Sequence, residues 1–318
     1  MLKSALRTAL GAVLLSALAV AQPGIFNKDE LIKYTPEWKG ERYPDGRPKV
    51  PDGILQRMKN VTLEEAWAPL RTAGFNHQME MDGWFCIHPG KVLVGRALTA
   101  QWLPGRPDIH KVIAEQGKQD GRIGGQNAWP VDMLQMGDVY VCDHFGLKEN
   151  GPSIGDNVGN AIYAKSGNGI VYDGAVRDLN GLNELENFVS FVRYYDPSHH
   201  FSTLGPTLNS TMIGINIPIH IGKATVMPGD VVLGRDGGVI FIPPQLAESI
   251  VVESEVTHLR DMFGHQRLRE GKYTSGQIDT RWADPIEKDF TGWLQENIDK
   301  LPVPKDVVQD LIKKQNKQ

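Results

Sequence analysis

The chain has 318 residues and a formal net charge of −4. A mildly acidic balance with scattered charges argues against nucleic acid as a partner. Apolar residues make up 41% of the sequence, which is enough for a buried core. The length allows one large domain or two small ones.

The first 21 residues have the pattern of a signal peptide. Lys3 and Arg7 precede the apolar run 9–20, and the small residues Ala19 and Ala21 form a cleavage site. The run is shorter than the roughly 20 residues that are needed to span a bilayer. We therefore predict cleavage near Ala21 and an exported protein, periplasmic or extracellular, without membrane attachment after cleavage. An uncleaved N-terminal anchor is the alternative.

Residues 22–60 are rich in proline, glycine and charge, and we predict an irregular extension on the surface. Helical and strand patterns then alternate over residues 61–268, which is typical of an α/β domain with a mixed sheet. The predicted helices are 63–70, 109–119, 154–166, 179–187 and 244–268, and the predicted strands are 91–102, 138–142, 169–173, 215–221, 231–233 and 239–242. The tail 269–318 carries Trp282 and Trp293, and we expect it to pack on the body or on a neighbouring subunit.

The two cysteines, Cys86 and Cys142, both lie in apolar, strand-like stretches. An exported protein meets oxidising conditions, in which the two are able to pair. Because free cysteine is among the most buried residue types, we favour two buried free thiols.

The most informative segment is 155–179. A glycine-rich turn opens a helix at Asp156, where free amides and the positive end of the helix dipole suit a carboxylate. The following strand runs into a tight turn that delivers Arg177 and Asp178 side by side. If the loop before the helix folds back beside the strand end, these three side chains converge on one pocket.

Two carboxylates and one guanidinium make an oxygen-rich site for a hard divalent cation and a bidentate clamp for a carboxylate. The alternative is structural, because each residue taken alone is more often a helix cap or a surface ion pair. His199 and His200 are also able to bind a metal, although loop histidines next to proline are more often solvated.

The segment resembles the signature of the RraA-like and 4-hydroxy-4-methyl-2-oxoglutarate aldolase family. In that signature a Gly-Glu/Asp pair leads through Arg-Gly-x-x-Gly into Val-Asp-Gly-x-x-Arg-Asp. Further pieces resemble the family in the same order, namely 94–100, 137–139, 216–219, 226–230 and 236–239. The resemblance covers roughly residues 63–268. This chain departs from it at Ser166-Gly167, where the family has Arg-Gly, and in the extension and tail.

The resemblance implies a compact, layered α/β sandwich with a mixed central sheet that assembles as a homotrimer or homohexamer. It also implies a lyase that requires Mg²⁺ or Mn²⁺ and acts on a small 2-oxo acid. Retro-aldol cleavage or decarboxylation would pass through a metal-stabilised pyruvate enolate.

The resemblance also assigns roles by position. Asp178 would be a metal ligand, and Asp156 would hold metal-bound water. Arg177 would be catalytic and would pair with the carboxylate and enolate oxygens. The remaining substrate contacts would come from Gly155 and from the backbone amides of Asn157 and Val158. The acidic residue that the family takes from a neighbouring subunit is not placed, and Glu255 and Asp261 are the candidates.

Two other functions stay open. One branch of the family inhibits an intracellular ribonuclease without catalysis, but it lacks the complete acidic set, and an exported protein does not meet a cytoplasmic nuclease. The second is an exported lyase or hydratase that uses the same chemistry on sugar-derived oxo acids.

Overall fold

A computed structural model of the chain describes residues 26–198 and 209–315. The predicted signal peptide and the pair His199 and His200 lie outside the described residues, so export and a role for these histidines stay predictions. Among the described helices, none combines the length and the apolar character that a membrane span requires.

Eleven strands form in the described part of the chain. They are Met79–Glu80 (β1), Phe85–Ile87 (β2), Leu93–Pro104 (β3), Asp138–Leu147 (β4), Ile170–Val176 (β5), Ser190–Tyr195 (β6), Ser210–Ile215 (β7), Ile219–Ile221 (β8), Ala224–Val226 (β9), Val231–Arg235 (β10) and Gly238–Ile242 (β11). Nine of them make one sheet in the order β1-β11-β10-β3-β4-β5-β6-β2, with β7 also paired to β3, while β8 and β9 form a hairpin. The central strands β3 to β6 are parallel, and the other pairings are antiparallel.

The described part of the chain also contains eleven α-helices. They are Lys28–Tyr34 (α1), Asp52–Met58 (α2), Leu63–Thr72 (α3), Pro107–Gln119 (α4), Trp129–Asp132 (α5), Asp156–Ser166 (α6), Leu179–Asn183 (α7), Ala247–Arg269 (α8), Ser275–Ile278 (α9), Asp284–Asn297 (α10) and Lys305–Gln315 (α11).

The central strands are buried on both faces. In β4, Tyr140 and Cys142 pack towards α4, α5, α6 and α7, whereas Val139 and Val141 pack towards the β8–β9 hairpin. Such near-continuous apolar runs are typical of parallel strands that are covered on both sides. The layered α/β class with a mixed central sheet, predicted from the sequence, is therefore confirmed.

Several predicted elements differ from the observed ones. The predicted strand 215–221 is broken because Asn216 has φ 55°, which separates β7 from β8. The helix predicted at 179–187 ends at Asn183. Strand β6 was not predicted at all. Both cysteines are free, as favoured, although Cys86 is only half-buried.

The N-terminal extension is more regular than expected. Its described part contains α1 and α2, and Leu31, Arg47 and Met58 are fully buried there. The prediction of an irregular surface segment was wrong on these points, because its buried side chains find their partners far away in the sequence. At the other end, Trp282 and Trp293 pack in a helical cluster with Phe263 of α8, so the tail does pack on the body.

Two turns of similar sequence each bury an aspartate. The Gln135 amide donates to Asp138 Oδ2 at 2.9 Å, and the Met227 amide donates to Asp230 Oδ2 at 2.8 Å. Arg47 Nη2 lies 3.0 Å from Asp138 Oδ2, and neither side chain is exposed. Burial raises the pKa of Asp138, and it raises the pKa of Asp230, which has no charged partner in the described structure, to about 7.

Replacing Arg47 with Ala should lower the free energy of unfolding by about 3–5 kcal/mol, because it leaves the buried Asp138 without its ion-pair partner. Lys49→Ala is the matched control, since Lys49 pairs with Glu41 in an exposed contact worth less than about 1 kcal/mol. Urea denaturation measures both values. A loss for Arg47→Ala no larger than that for Lys49→Ala would contradict the prediction.

The buried Asp230 should make stability fall as the pH rises. The folded chain keeps this proton up to about pH 7, whereas the unfolded chain releases it near pH 4. The parent should therefore lose up to about 4 kcal/mol of unfolding free energy, relative to Asp230→Asn, between these pH values. Urea denaturation of both proteins across this range tests the point, and a difference independent of pH would refute it.

Candidate active site

The loop before α6 lies parallel to the end of β5. Ile154 forms a parallel bridge with Val176, and the Arg177 amide donates to the Ile154 carbonyl oxygen at 3.0 Å. Helix α6 then begins at Asp156, directly after its N-cap Gly155. The fold-back on which the predicted convergence depended is therefore present.

Gly155 contacts both residues that follow β5. A Cβ at this position would lie 2.3 Å from Asp178 Oδ2 and 3.0 Å from Arg177 Nε. The backbone of Gly155 has φ −123°, which other residues adopt easily, so the constraint here is space and not conformation. Only glycine lets the loop approach this closely without moving the two charged side chains.

Asp178 has a left-handed backbone, with φ 56° and ψ 44°, and forms the N-cap of α7. Aspartate tolerates this region better than most residues, but the conformation still costs on the order of 1 kcal/mol. The turn directs α7 back towards the start of α6. A Cβ on Gly181 of α7 would lie 3.0 Å from Asp156 Oδ2, which shows how closely α7 approaches that carboxylate.

The charged groups of this cluster are accessible from solvent. Arg177 Nη1 lies 3.5 Å from Asp178 Oδ2, and the two side chains are 30% and 34% exposed. Asp156 is half-buried, and its Oδ1 accepts a hydrogen bond from the Asn157 amide at 2.7 Å. This amide, predicted to bind a substrate carboxylate, is therefore occupied by Asp156 in the present conformation.

The structure thus places the predicted residues at one location, where α6 begins and β5 ends. Asn157 is exposed on the first turn of α6, while Val158 packs partly against the core. Both residues lie in the first turn of α6, and their contact with a substrate stays a prediction.

The candidate acidic residues from a neighbouring subunit have different surroundings. Glu255 accepts two hydrogen bonds from Arg57, at 2.7 and 2.6 Å, so it is already paired within its own chain. Asp261 is exposed on α8. Within residues 26–198 and 209–315, no group of three or more His, Cys, Asp or Glu side chains gathers as a ready metal site.

A buried hydrogen-bond chain lies beneath the loop and was missed by the sequence reasoning. Ser153 Oγ contacts the Tyr172 hydroxyl, which lies 2.8 Å from His144 Nδ1. His144 Nε2 in turn lies 3.0 Å from Ser210 Oγ. These contacts tie the loop to β4, β5 and β7. The only available signal was strand alternation, which places His144 on the same face as Cys142.

Residues 61–241, more than half of the chain, match the sequence model of the RraA-like family, described as Aldolase/RraA. The chain belongs to the RraA-like family. A protein of Halalkalibacterium halodurans named "Putative 4-hydroxy-4-methyl-2-oxoglutarate aldolase" is 31% identical over 87 residues. That match covers 27% of this chain and 38% of the relative's length.

Two solved structures share the fold. Streptomyces coelicolor RraAS2, described as an unusual member of the RNase ES inhibitor RraA protein family, has a TM-score of 0.56 and 23% identity. The likeness covers 69% of this chain and 100% of that chain. An uncharacterized protein from Pseudomonas syringae pv. tomato has a TM-score of 0.55 and 19% identity, with 73% and 98% covered. At these identities the likeness concerns the fold alone.

Gly155→Ala should displace the Asp178 carboxylate by about 1 Å, because the new Cβ needs a normal van der Waals distance. Gly292→Ala is the control, since its Cβ meets nothing within 4 Å and alanine favours the helix by about 1 kcal/mol. Crystal structures of the two variants test this. If Asp178 keeps its place in Gly155→Ala, the glycine does not set the geometry of the site.

Proposed function

We propose that this RraA-like protein is a divalent-metal-dependent lyase that cleaves a carbon–carbon bond in a small 2-oxo acid. The observation that carries the proposal is the convergence of Asp156, Arg177 and Asp178 at one accessible location. Two carboxylates and a guanidinium at a helix N-terminus suit an anionic substrate and a hard cation together. The named aldolase relative supports the same reaction class.

The donor chemistry fits Mg²⁺ or Mn²⁺. Mg²⁺ usually keeps several waters and needs only one or two protein carboxylates. Asp178 would be the ligand, and Asp156 would hold a metal-bound water. When bound, such an ion supplies positive charge that stabilises an oxyanion. The positions of both carboxylates depend on glycine contacts, Gly155 beside Asp178 and Gly181 beside Asp156.

Arg177 would bind and orient the substrate. Its planar guanidinium is able to donate two parallel hydrogen bonds to a carboxylate or to adjacent carboxylate and oxo oxygens. The neighbouring Asp178 lies 3.5 Å away and fixes the charge of the pair near neutrality until substrate arrives. A neutral sugar offers no carboxylate for the two parallel N–H groups of the guanidinium, so we expect an anionic substrate to bind better.

Asp156 would move the proton. In retro-aldol cleavage the hydroxyl group would lose its proton to Asp156 and become the carbonyl group of one product. The carbon–carbon bond breaks, and its electron pair forms the enolate of the other product. Protonation of the enolate carbon then gives pyruvate. Asp156 Oδ2, close to Gly181, is the atom available for the proton, since Oδ1 accepts the Asn157 amide.

We also infer that the active form is a homotrimer or homohexamer. Large apolar side chains are exposed on the described surface, including Val112, Ile123 and Met136 at 62%, 82% and 67%. Exposed apolar side chains of this size are available for contact with a second copy. Light scattering on the active protein checks this, and a fully active monomer would contradict it.

The function is tested with oxaloacetate, a 4-hydroxy-2-oxo acid and a keto-sugar acid, each with Mg²⁺ or Mn²⁺ and with coupled detection of pyruvate. At least one should yield pyruvate, and chelation should abolish the reaction. Arg177→Lys should lower kcat/KM at least about 100-fold, because lysine lacks the planar fork.

Arg235→Lys provides a matched control for this variant. Arg235 also precedes an aspartate with a left-handed backbone, Asp236, and pairs with it at 2.7 Å. The activity of Arg235→Lys should stay close to that of the parent protein. Absence of pyruvate from every substrate, together with no binding of oxalate as an enolate mimic, would refute the aldolase proposal. Turnover of the keto-sugar acid without pyruvate would favour the sugar-acid lyase or hydratase.

A further inference from the structure

A second concave surface lies between the N-terminal extension and the sheet, away from the candidate active site. This cleft has a volume of about 390 Å³, which lies within the range of small-molecule sites. Tyr34 at the end of α1 and Glu37 after it line the cleft, and so do Pro243 and Pro244. Asp230 lies in the lining, at the start of β10.

The lining has the chemistry of a cation site. Asp230 and Glu37 are acidic, and none of the described residues that line the cleft is basic. Phe75, Pro243 and Pro244 contribute apolar surface. Arg42 lies nearby but does not line the cleft. Its guanidinium donates hydrogen bonds to the hydroxyl and carbonyl oxygens of Thr35.

Asp230 is a buried carboxylate that is only partly paired. Its turn needs only one carboxylate oxygen, Oδ2, which accepts the Met227 amide. The equivalent turn at Asp138 shows how the charge of such a buried aspartate is met, since Arg47 lies 3.0 Å away. Asp230 is 2% exposed, and within the described residues its side chain has that single hydrogen bond and no ion pair.

We propose that this cleft binds a small organic ammonium compound with a short apolar arm. The ammonium group would donate to Asp230 and supply the positive charge that Arg47 supplies to Asp138. The apolar arm would lie against Phe75 and the two prolines, and Glu37 would face the entrance. A buried carboxylate is stabilised most by a partner that is both positively charged and a hydrogen-bond donor.

This site is separate from the proposed lyase site. The Asp230 carbonyl oxygen accepts the Ala97 amide in the first half of β3, whereas Arg177 follows the carboxyl end of β5. Because β3, β4 and β5 are parallel, these positions lie towards opposite ends of the sheet. Loss of amine binding therefore leaves the lyase proposal intact, and the reverse also holds.

Calorimetric titration of the full chain with n-butylamine at pH 8 tests the proposal, with 1-butanol as the neutral probe of equal length. Butylammonium should bind the parent and bind Asp230→Asn at least about tenfold more weakly, while butanol should bind both equally poorly. Asp230→Asn keeps an oxygen acceptor for the Met227 amide, and circular dichroism checks its folding.

Thr225→Phe is the second variant, because Thr225 is an exposed residue of β9 that lines the cleft and phenylalanine would fill it. It should also abolish amine binding without altering the turn at Asp230. No binding of butylammonium to the parent, or equal affinity for the parent and both variants, would overturn the proposal.

Discussion

The parallel bridge between Ile154 and Val176 is the contact on which the candidate site depends. It places the loop before α6 beside the residue that ends β5, so that two segments separated by a helix and a strand meet. The buried chain of Ser153, Tyr172 and His144 holds the loop in this position. A fully hydrogen-bonded buried network of this kind fixes one arrangement, since any displaced member would be left unpaired.

Two departures from ordinary local structure are concentrated at this contact. Gly155 leaves room for charged side chains that a Cβ would displace, and Asp178 adopts a left-handed backbone. Strain and close approach of this sort cluster at functional sites in folded proteins. A left-handed aspartate after an arginine is not by itself the mark of a site, as Arg235 and Asp236 show. This pair repeats the residue types and the left-handed aspartate in an ordinary β-turn between β10 and β11.

Buried charge also distinguishes this chain from a minimal α/β domain. The N-terminal extension inserts Arg47 against Asp138, whereas the similar turn at Asp230 receives no cation from the described chain. The extension is thereby coupled to the sheet by an ion pair whose removal would be costly, and it also forms one wall of the cleft. The N-terminal extension therefore contributes to stability and also forms part of the surface of the cleft.

The sequence by itself determined the class of the fold, the family and the start of α6 at Asp156. These depend on local period, on turn chemistry and on a motif read along the chain. It also predicted which residues would matter at the site, but only by assuming that the loop folds back. Strand β6 and the helices α1 and α2 of the extension were missed, since their patterns are short and their partners are distant.

Only the tertiary structure decided how these residues meet. The approach of Gly155 to Asp178, the pairing of Glu255 with Arg57, and the absence of a charged partner for Asp230 in the described structure all depend on segments far apart in sequence. Local preferences act over a few residues, whereas the position of a buried charge is set by whichever element packs against it. For that reason the sequence indicated the chemistry of this protein, and the packing determined where its charges lie.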